Sequence, residues 1–373
     1  MRETDSSTNQ DIELLIQPGS GTSAILDGIE QARESIHIVI FRFDRREIEL
    51  ALKRAARRGV FVHALVAHTS AGQGGEITLR NLEMRLLADG ITVTRTASDL
   101  ARYHNKMMIV DARTLYLLGF NFTYLDIDRS RSFGIVTTRR EWVQEAERLF
   151  HADATRQAYA PECASFVVSP CNARQRLLSL IACADRQILI YDDKLSDPAA
   201  MKLLVAKSKA GLDVRVIGTA GKRAVGVQSV RLNRRLHAQV IIVDGERMFL
   251  GSQSLRSLEL DARRETGLIV SDPEVIRQLA TVFEADWLAC AGSAPVVTAA
   301  APALEIPHEE LAAIIEAPRE PAPSVVSLEV VRAVVKDAIK DAILETVPPD
   351  STDVPLKAAV KQAAKDALYE LVH

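Results

Sequence analysis

An excess of charge of one sign is missing from this chain. Its 373 residues carry 46 Lys and Arg against 49 Asp and Glu, a net charge of −3. No global positive field therefore draws the whole molecule to nucleic acid or anionic lipid, although a local basic cleft is not excluded. Long apolar runs are missing too, for none reaches the roughly 18 residues a membrane span needs. The N-terminal MRETDSSTNQD is polar and lacks the apolar core of a secretory signal. A cytoplasmic chain, at most peripheral to a membrane, is the expectation. Cysteine is scarce: Cys163, Cys171, Cys183 and Cys290 form no CxxC pair and have no His at zinc spacing, so reduced, partly buried thiols are expected and no metal site. Aromatics make up only 5%, few to stack the bases of a nucleic acid. The Gly-rich AGQGGE at 71–76 lacks the Lys-Ser/Thr of a P-loop and is expected to be a mobile loop bordering the mouth of a site.

What is present is an ordinary globular composition, 47% hydrophobic and 25% charged, and an internal duplication. AILDGIEQARESIHIVIFRF (24–43) and RQRLLSLIACADRQILIYDD (174–193) both read as an amphipathic helix followed by an apolar strand, with Ala32 answering Ala184 at an offset of 152. ALKRAARRGVFVHALV (51–66) matches LLVAKSKAGLDVRVIG (203–218), and Gly59 and Gly211, each just past a helix, keep that offset of 152. Further along, RYHNKMMIVD (102–111) matches RLHAQVIIVD (235–244), and the offset between His104 and His237 is 133. The first half thus holds 19 additional residues, within 67–103, which include TLRNLEMRLLADG, a short amphipathic helix. YLDIDRSRSFGIV (124–136) continues the match with SLELDARRETGLIV (257–270), Asp128 with Asp261 and Gly134 with Gly267, again at 133. Alternating helices and apolar strands predict an α/β fold of two lobes, each with parallel-sheet character, packed as a pseudo-twofold pair.

The stretches after His104 and His237 look like buried strands. Residues two apart on a strand face the same way, so His104 should project with Lys106 and His237 with Gln239. Two imidazoles meeting at a lobe junction beside an ammonium suit phosphodiester cleavage. One neutral His attacks phosphorus, and the other, protonated, gives its proton to the leaving oxygen. Lys106 would stabilise charge on the non-bridging oxygens. This set calls for no metal and no cofactor. A lone His in a strand is usually a satisfied core residue, but two in equivalent positions of one ten-residue pattern favour a shared active site.

His104-Asn-Lys106 with Asp111, followed by LGFNFT (118–123), resembles the signature of the phospholipase D superfamily, and HAQVIIVDGERMFLGSQS (237–254) resembles its second copy. The resemblance covers about residues 12–290. It implies a covalent phosphohistidine, with His104 as nucleophile and His237 as general acid. It also implies a carboxylate some two dozen or more residues after each motif His that orients the His of the opposite half. Two departures stand out. Gln239 replaces an expected Lys, and a lost stabilising donor of this kind costs about 3 kcal/mol. Glu265 supplies the second-half carboxylate, but Ser132 stands where the first half should have one. By this reading His237 has lost both its Lys and its opposing carboxylate, either because the two histidines do different jobs or because the site has decayed.

Asn121 and Ser252 lie in Gly-led segments beyond the motif strands and are either phosphate-binding or turn residues. Asp111 and Asp244, seven residues past their histidines, suit a structural role at the far strand end. Arg234 and Arg235 precede His237 and are candidates for binding an anionic substrate, though basic clusters are commonly solvated faces. The organisation expected is a flexible N-terminus (1–11), a first lobe (12–160), a second lobe (161–290), an Ala/Pro-rich linker (291–326) and an amphipathic helical hairpin (327–373). In the hairpin, VKDAIKDAILETV and VKQAAKDALYELV repeat at an offset of 25. Helices this short are unstable alone, so the hairpin is expected to self-associate or dock on a partner. The functions in view are a phospholipid phosphodiesterase or phosphatidyltransferase, a nuclease using the same chemistry, and a non-catalytic lipid or nucleic-acid binder.

Overall fold

The structure is a computed structural model that describes residues 11–68, 75–221, 224 and 226–290. The expected N-terminal arm, the start of the 71–76 loop, the linker and the helical hairpin lie outside these residues.

The first half runs β1 (Ile12–Gln17), α1 (Ser23–Gln31), β2 (Ser35–Ile40), α2 (Arg46–Arg57), β3 (Phe61–Val66), α3 (Gly75–Ala88), β4 (Thr92–Arg95), β5 (Arg102–Tyr103), β6 (Met107–Val110), β7 (Thr114–Leu118), a π-helical turn (Leu125–Arg129), β8 (Ser132–Thr137) and α4 (Arg140–Thr155). The second half runs β9 (Phe166–Val168), α5 (Ala173–Ala182), β10 (Gln187–Leu195), α6 (Pro198–Lys209), β11 (Asp213–Ala220), β12 (Gln228–Val230), β13 (Gln239–Val243), β14 (Arg247–Gly251), α7 (Ser257–Asp261), β15 (Arg263–Arg264), β16 (Thr266–Val270) and α8 (Pro273–Cys290). Each half builds a seven-stranded sheet, in the orders β1-β8-β7-β6-β2-β3-β4 and β9-β16-β14-β13-β10-β11-β12. The two orders correspond strand for strand, as the duplication requires. The additional residues of the first half include α3, whereas the described residues between β11 and β12 of the second half include no helix.

The sheets are mixed: each has the expected parallel character on one side and antiparallel pairing on the other. β2, β3 and β4 run parallel, as do β10, β11 and β12, because a helix or a longer crossover returns the chain between them. The remaining pairs within the two seven-stranded sheets are antiparallel. The cause is local. β6 and β7 are joined by three residues, with Asp111 and Ala112 at φ 53° and 50°, and so short a connection can only reverse the strand.

Sequence patterning accounts for the layers. α2 buries Ile48, Ala51, Leu52 and Ala55, the i, i+3, i+4, i+7 stripe of a surface helix. α6 starts at Asp197, whose carboxylate accepts from the N–H groups of Ala199 and Ala200, with Pro198 in its first turn. Gly59 and Gly211 follow α2 and α6 at φ 92° and 91°, a backbone region where a Cβ is strained. β6 and β13 are buried along their whole length, so their apolar runs are continuous. Two outer cores lie under α1–α3 and under α5–α7, and a third, shared core joins the sheets. The shared core draws Met107, Leu117 and Ile135 from the first sheet, Tyr191, Val240 and Leu268 from the second, and the inner faces of α4 and α8.

Candidate active site

Two short strand pairings join the lobes. β5 and β15 pair in parallel, Arg102 with Arg263 and Tyr103 with Arg264. Their counterpart is a parallel bridge between Arg131 and Leu236, whose residues are those of the first pairing shifted by the same 133 positions. Each motif histidine follows directly. The His104 N–H donates to the Arg264 carbonyl at 2.8 Å and the His237 N–H to the Arg131 carbonyl at 3.0 Å. Both imidazoles are thus anchored by main chain to the opposite lobe. His104 to Lys106 and His237 precede the strands β6 and β13 instead of lying on them.

The His104 Nδ1 lies 2.9 and 3.0 Å from the two oxygens of Glu265, which is fully buried in the second lobe. Lys106 Nζ lies 2.9 Å from His104 Nδ1 and 3.1 Å from Nε2. That near-equality places the ammonium against the ring as a whole and not on one lone pair. The edge of Phe41 closes another side, with ring centroids 4.5 Å apart at 76°. Burial, then Lys106, Arg263 and Arg102, holds the imidazole well below its usual range. Burial raises Glu265, with Lys106 and Arg263 opposing and a hydrogen bond from Ser252 assisting them. Lys106, itself fully buried, is pushed down to about 8 by burial against the pull of Glu265 and Asp126.

His237 does not lack a carboxylate, and here the sequence expectation is corrected. Asp126 of the first lobe places Oδ2 2.9 Å from His237 Nδ1 and binds Arg235 through Oδ1. It comes from the π-helical turn, an irregularity often found at functional sites. Position 132, where the resemblance puts the carboxylate, instead holds up the one that is there: Ser132 Oγ donates to the Asp126 carbonyl at 3.2 Å. Asn121 donates to Asp126 Oδ2 twice, from its main-chain N–H and its amide, both at 2.8 Å. Arg235 Nη1 also donates to Ser130 Oγ at 2.8 Å. Burial works to raise Asp126, but His237, Arg235 and these hydrogen bonds outweigh it and keep it well below the usual carboxylate range. Burial lowers His237, and Asp126 opposes that shift.

The remaining sequence candidates fall into place around this frame. Gln239 is buried, and its Oε1 has no hydrogen-bond partner. Ser252 Oγ accepts from the Thr266 N–H at 3.2 Å. Arg235 is committed to Asp126, whereas Arg234 is exposed. Asp111 sits at the far end of β6, where it accepts from the N–H groups of Arg33, Glu34 and Ser35 at 2.7–3.2 Å. Asp244 does the same for Asp185, Arg186 and Gln187 at 2.8–2.9 Å. Among the described residues no group of His, Cys, Asp and Glu is disposed to hold a metal ion, and no helix is long and apolar enough to cross a membrane.

Sequence reasoning missed Asp126, Arg102 and Arg263. Arg102 and Arg263 are each 4% exposed and face one another across the β5–β15 pair. A signal for Asp126 existed: it is acidic, as is its counterpart Glu259 at the offset of 133. Glu259 serves its own lobe, accepting from the Ser254 N–H at 2.7 Å and from Arg263 at 3.1 Å.

Residues 25–154 and 177–287 each match a family model described as cardiolipin synthase, PLD-like domain. The mitochondrial cardiolipin hydrolase of Mus musculus is 28% identical over 149 residues, which are 38% of this chain and 64% of that protein. The chain thus matches less than two thirds of that relative's length. Among solved structures, a phosphatidylserine synthase from Haemophilus influenzae superposes with TM-score 0.59 at 11% identity, covering 77% of this chain and 87% of the other. A polyphosphate kinase from Porphyromonas gingivalis superposes with TM-score 0.61 at 20% identity, covering 73% and 46%. At these identities the two structures speak to fold alone.

Proposed function

This chain belongs to the cardiolipin synthase, PLD-like domain family, and from that premise we propose that it is a phospholipase D-type phosphodiesterase that cleaves or transfers the phosphatidyl group of phospholipids through a phosphohistidine. The observation that carries the reading is the pair of imidazoles anchored across the lobe junction, each with its Nδ1 against a buried carboxylate of the opposite lobe. With Glu265 accepting from Nδ1–H, the lone pair of His104 is on Nε2. That nitrogen attacks phosphorus, a P–N bond forms and the bond to the leaving oxygen breaks. The leaving oxygen takes its electron pair and a proton from Nε2 of His237. Water, or an alcohol in the transfer reaction, then gives its proton to His237 and attacks phosphorus, and His104 is released. Lys106 and the buried guanidiniums of Arg102 and Arg263 favour the charge that builds on the non-bridging oxygens. Gln239 contributes an amide where a second ammonium would otherwise stand.

The phospholipid class rests on the family description and on the name of the mouse relative. The low aromatic content leaves little to stack bases. Access to lipid would be from the membrane surface. The test is an assay of purified protein on mixed phospholipid vesicles with added ethanol, run beside single-stranded and duplex DNA. We expect phosphatidic acid or phosphatidylethanol, together with an acid-labile, base-stable phosphoprotein that His104→Ala abolishes. DNA cleavage without lipid turnover would overturn the substrate class. Turnover that survives His104→Ala would overturn the mechanism.

A further inference from the structure

The two lobes put different chemistry at one equivalent position. Lys106 and Gln239 stand at the offset of 133, each two residues past its motif histidine. The main chain keeps them in register. The Lys106 carbonyl accepts from the Leu118 N–H at 3.0 Å, and Gln239 pairs with Gly251, which is the counterpart of Leu118 at the same offset of 133. Lys106 carries an ammonium, which has hydrogens to donate and no lone pair to accept with, and that ammonium lies against the His104 ring. Gln239 is 9% exposed, and its Oε1 has no hydrogen-bond partner among the described residues. A buried amide oxygen without a donor is costly. The strand neighbours of Gln239 do not supply one. Gly251 on β14 has no side chain, and Asp192 on β10 is an acceptor already taken by Ser254 Oγ at 2.6 Å and the Leu255 N–H at 2.7 Å.

We propose that Gln239 selects the nucleophile of the second half-reaction: its Oε1 accepts a hydrogen bond from a second O–H of the attacking molecule, so that the phosphohistidine passes to water in preference to a simple alcohol. Such a role rests on the reading of His104 as nucleophile and of His237 as acid and base. By the twofold, the side chain at 239 is brought to the ring of His237 as Lys106 is to that of His104. His237 Nδ1 is taken by Asp126, which leaves Nε2 for the attacking molecule. When water attacks, its oxygen forms the bond to phosphorus, the P–N bond breaks and the electron pair returns to His104 Nε2. One hydrogen of the water passes to His237 Nε2. The other stays on the oxygen and is donated to Gln239 Oε1. An alcohol gives its one hydroxyl hydrogen to His237 and turns carbon toward Oε1, which then has no donor. A vicinal diol has a second O–H to offer. An ammonium at 239 would draw no such distinction, because it donates to the oxygen of either molecule.

The experiment reads product partition in place of rate. Vesicles of phosphatidylcholine and phosphatidylglycerol are incubated with the full chain in water containing ethanol or, in a matched run, ethylene glycol. The ratio of phosphatidylalcohol to phosphatidic acid is set in the second step alone, so a variant that is merely less well folded loses product without changing the ratio. For the native protein we expect ethylene glycol to be captured about three- to tenfold better than ethanol, the worth of one net hydrogen bond. Gln239→Met keeps the length and removes the acceptor, and Gln239→Lys offers donors only. In both, the ethanol ratio should rise about three- to tenfold and the preference for the glycol should vanish. Equal capture of ethanol and glycol by the native protein overturns the proposal. So do unmoved ratios in the folded variants, or opposite shifts in Met and Lys, which would assign the selection to charge. Should Gln239→Met fail to fold, Gln239→Lys carries the same readout. The partition is also read on bis(p-nitrophenyl) phosphate, which contains no lipid. Turnover of that ester alone would defeat the phospholipid substrate and still decide the role of Gln239. Turnover of lipid with an unmoved ratio would defeat the role of Gln239 and leave the proposed function standing. No turnover of either would remove both.

Discussion

At the scale of the residue, chemistry follows from which charges stand beside each ring. The proposed mechanism needs His104 neutral and His237 protonated. Burial with Lys106, Arg263 and Arg102 takes His104 well below its ordinary 6.5. Burial takes His237 below 6.5 as well, against the opposing pull of Asp126, so the two titrations are ordered with His104 the lower. The competent pair, His104 free of its proton and His237 holding one, then exists between them. We expect kcat/KM to rise as pH climbs through the His104 titration, to peak below about pH 6.5, and to fall as His237 loses its proton. Lys106, titrating at about 8, adds a second decline at higher pH. An optimum above pH 8 in the steady-state profile would contradict the assignment of roles. Much of this site was legible in the sequence. His104, Lys106, His237 and Glu265 stand out because the repeat displays them in register. Asp126 did not, because reading the repeat position by position points to Ser132, and nothing in LDIDRSRS announces a π turn. Arg102 and Arg263 escaped for a related reason: their burial depends on a pairing between lobes, which spacing along one chain does not reveal.

At the scale of the element, the site depends on how β6 and β13 are fastened at the end away from the histidines. Asp111 and Asp244 each gather three main-chain N–H groups from the start of a neighbouring strand, and they fix the register of β6 on β2 and of β13 on β10. Burial tends to raise both carboxyl groups, and the main-chain hydrogen bonds outweigh it and lower them. A carboxyl depressed in the folded state contributes stability that is present above its unfolded value, near 3.8, and lost as pH falls through the folded value. Asp111→Ala leaves donors without an acceptor and is expected to cost about 1–3 kcal/mol, and to flatten the acid limb of the stability profile. Its kcat should match that of the native protein, because the site lies at the other end of the strand. A selective loss of kcat at unchanged stability in urea denaturation would assign Asp111 to the chemistry instead. The helices and strands were readable from period and punctuation, as the Gly59 and Gly211 ends of α2 and α6 show. The sheet's mixed direction was not. Alternating helix and strand suggests parallel pairing, and the reversal at β6–β7 depends on a three-residue connection that hydrophobic pattern does not weigh.

At the scale of the whole molecule, the duplication explains why neither half contains a complete site. The carboxylate beside His104 is in the second lobe, and the carboxylate beside His237 is in the first. Both histidine main chains are bound to the other lobe's arginine carbonyls. What keeps the lobes together is the shared core between the two sheets, with α4 and α8 packed into it, and the ion pair of Arg131 with Asp286 of α8 at 2.6 Å. The chain passes from α4 to β9 through an exposed stretch at 155–158. The connection there serves as a tether, whereas the core serves as the joint, and burial on this scale far exceeds the entropy saved by linking two ends. A protease site engineered into 155–158 and cleaved in the folded protein should therefore leave the two fragments associated on gel filtration. The nicked protein should keep kcat and KM within about twofold of the uncut protein, since a loop away from the packed core changes stability little. After unfolding and refolding at low concentration, activity should become concentration-dependent, because lobe assembly is then bimolecular. Fragments that separate at once, or a nicked protein that stays folded but loses its turnover, would place the joint in the connecting segment and not in the core, and would remove the reason to treat the lobes as one site.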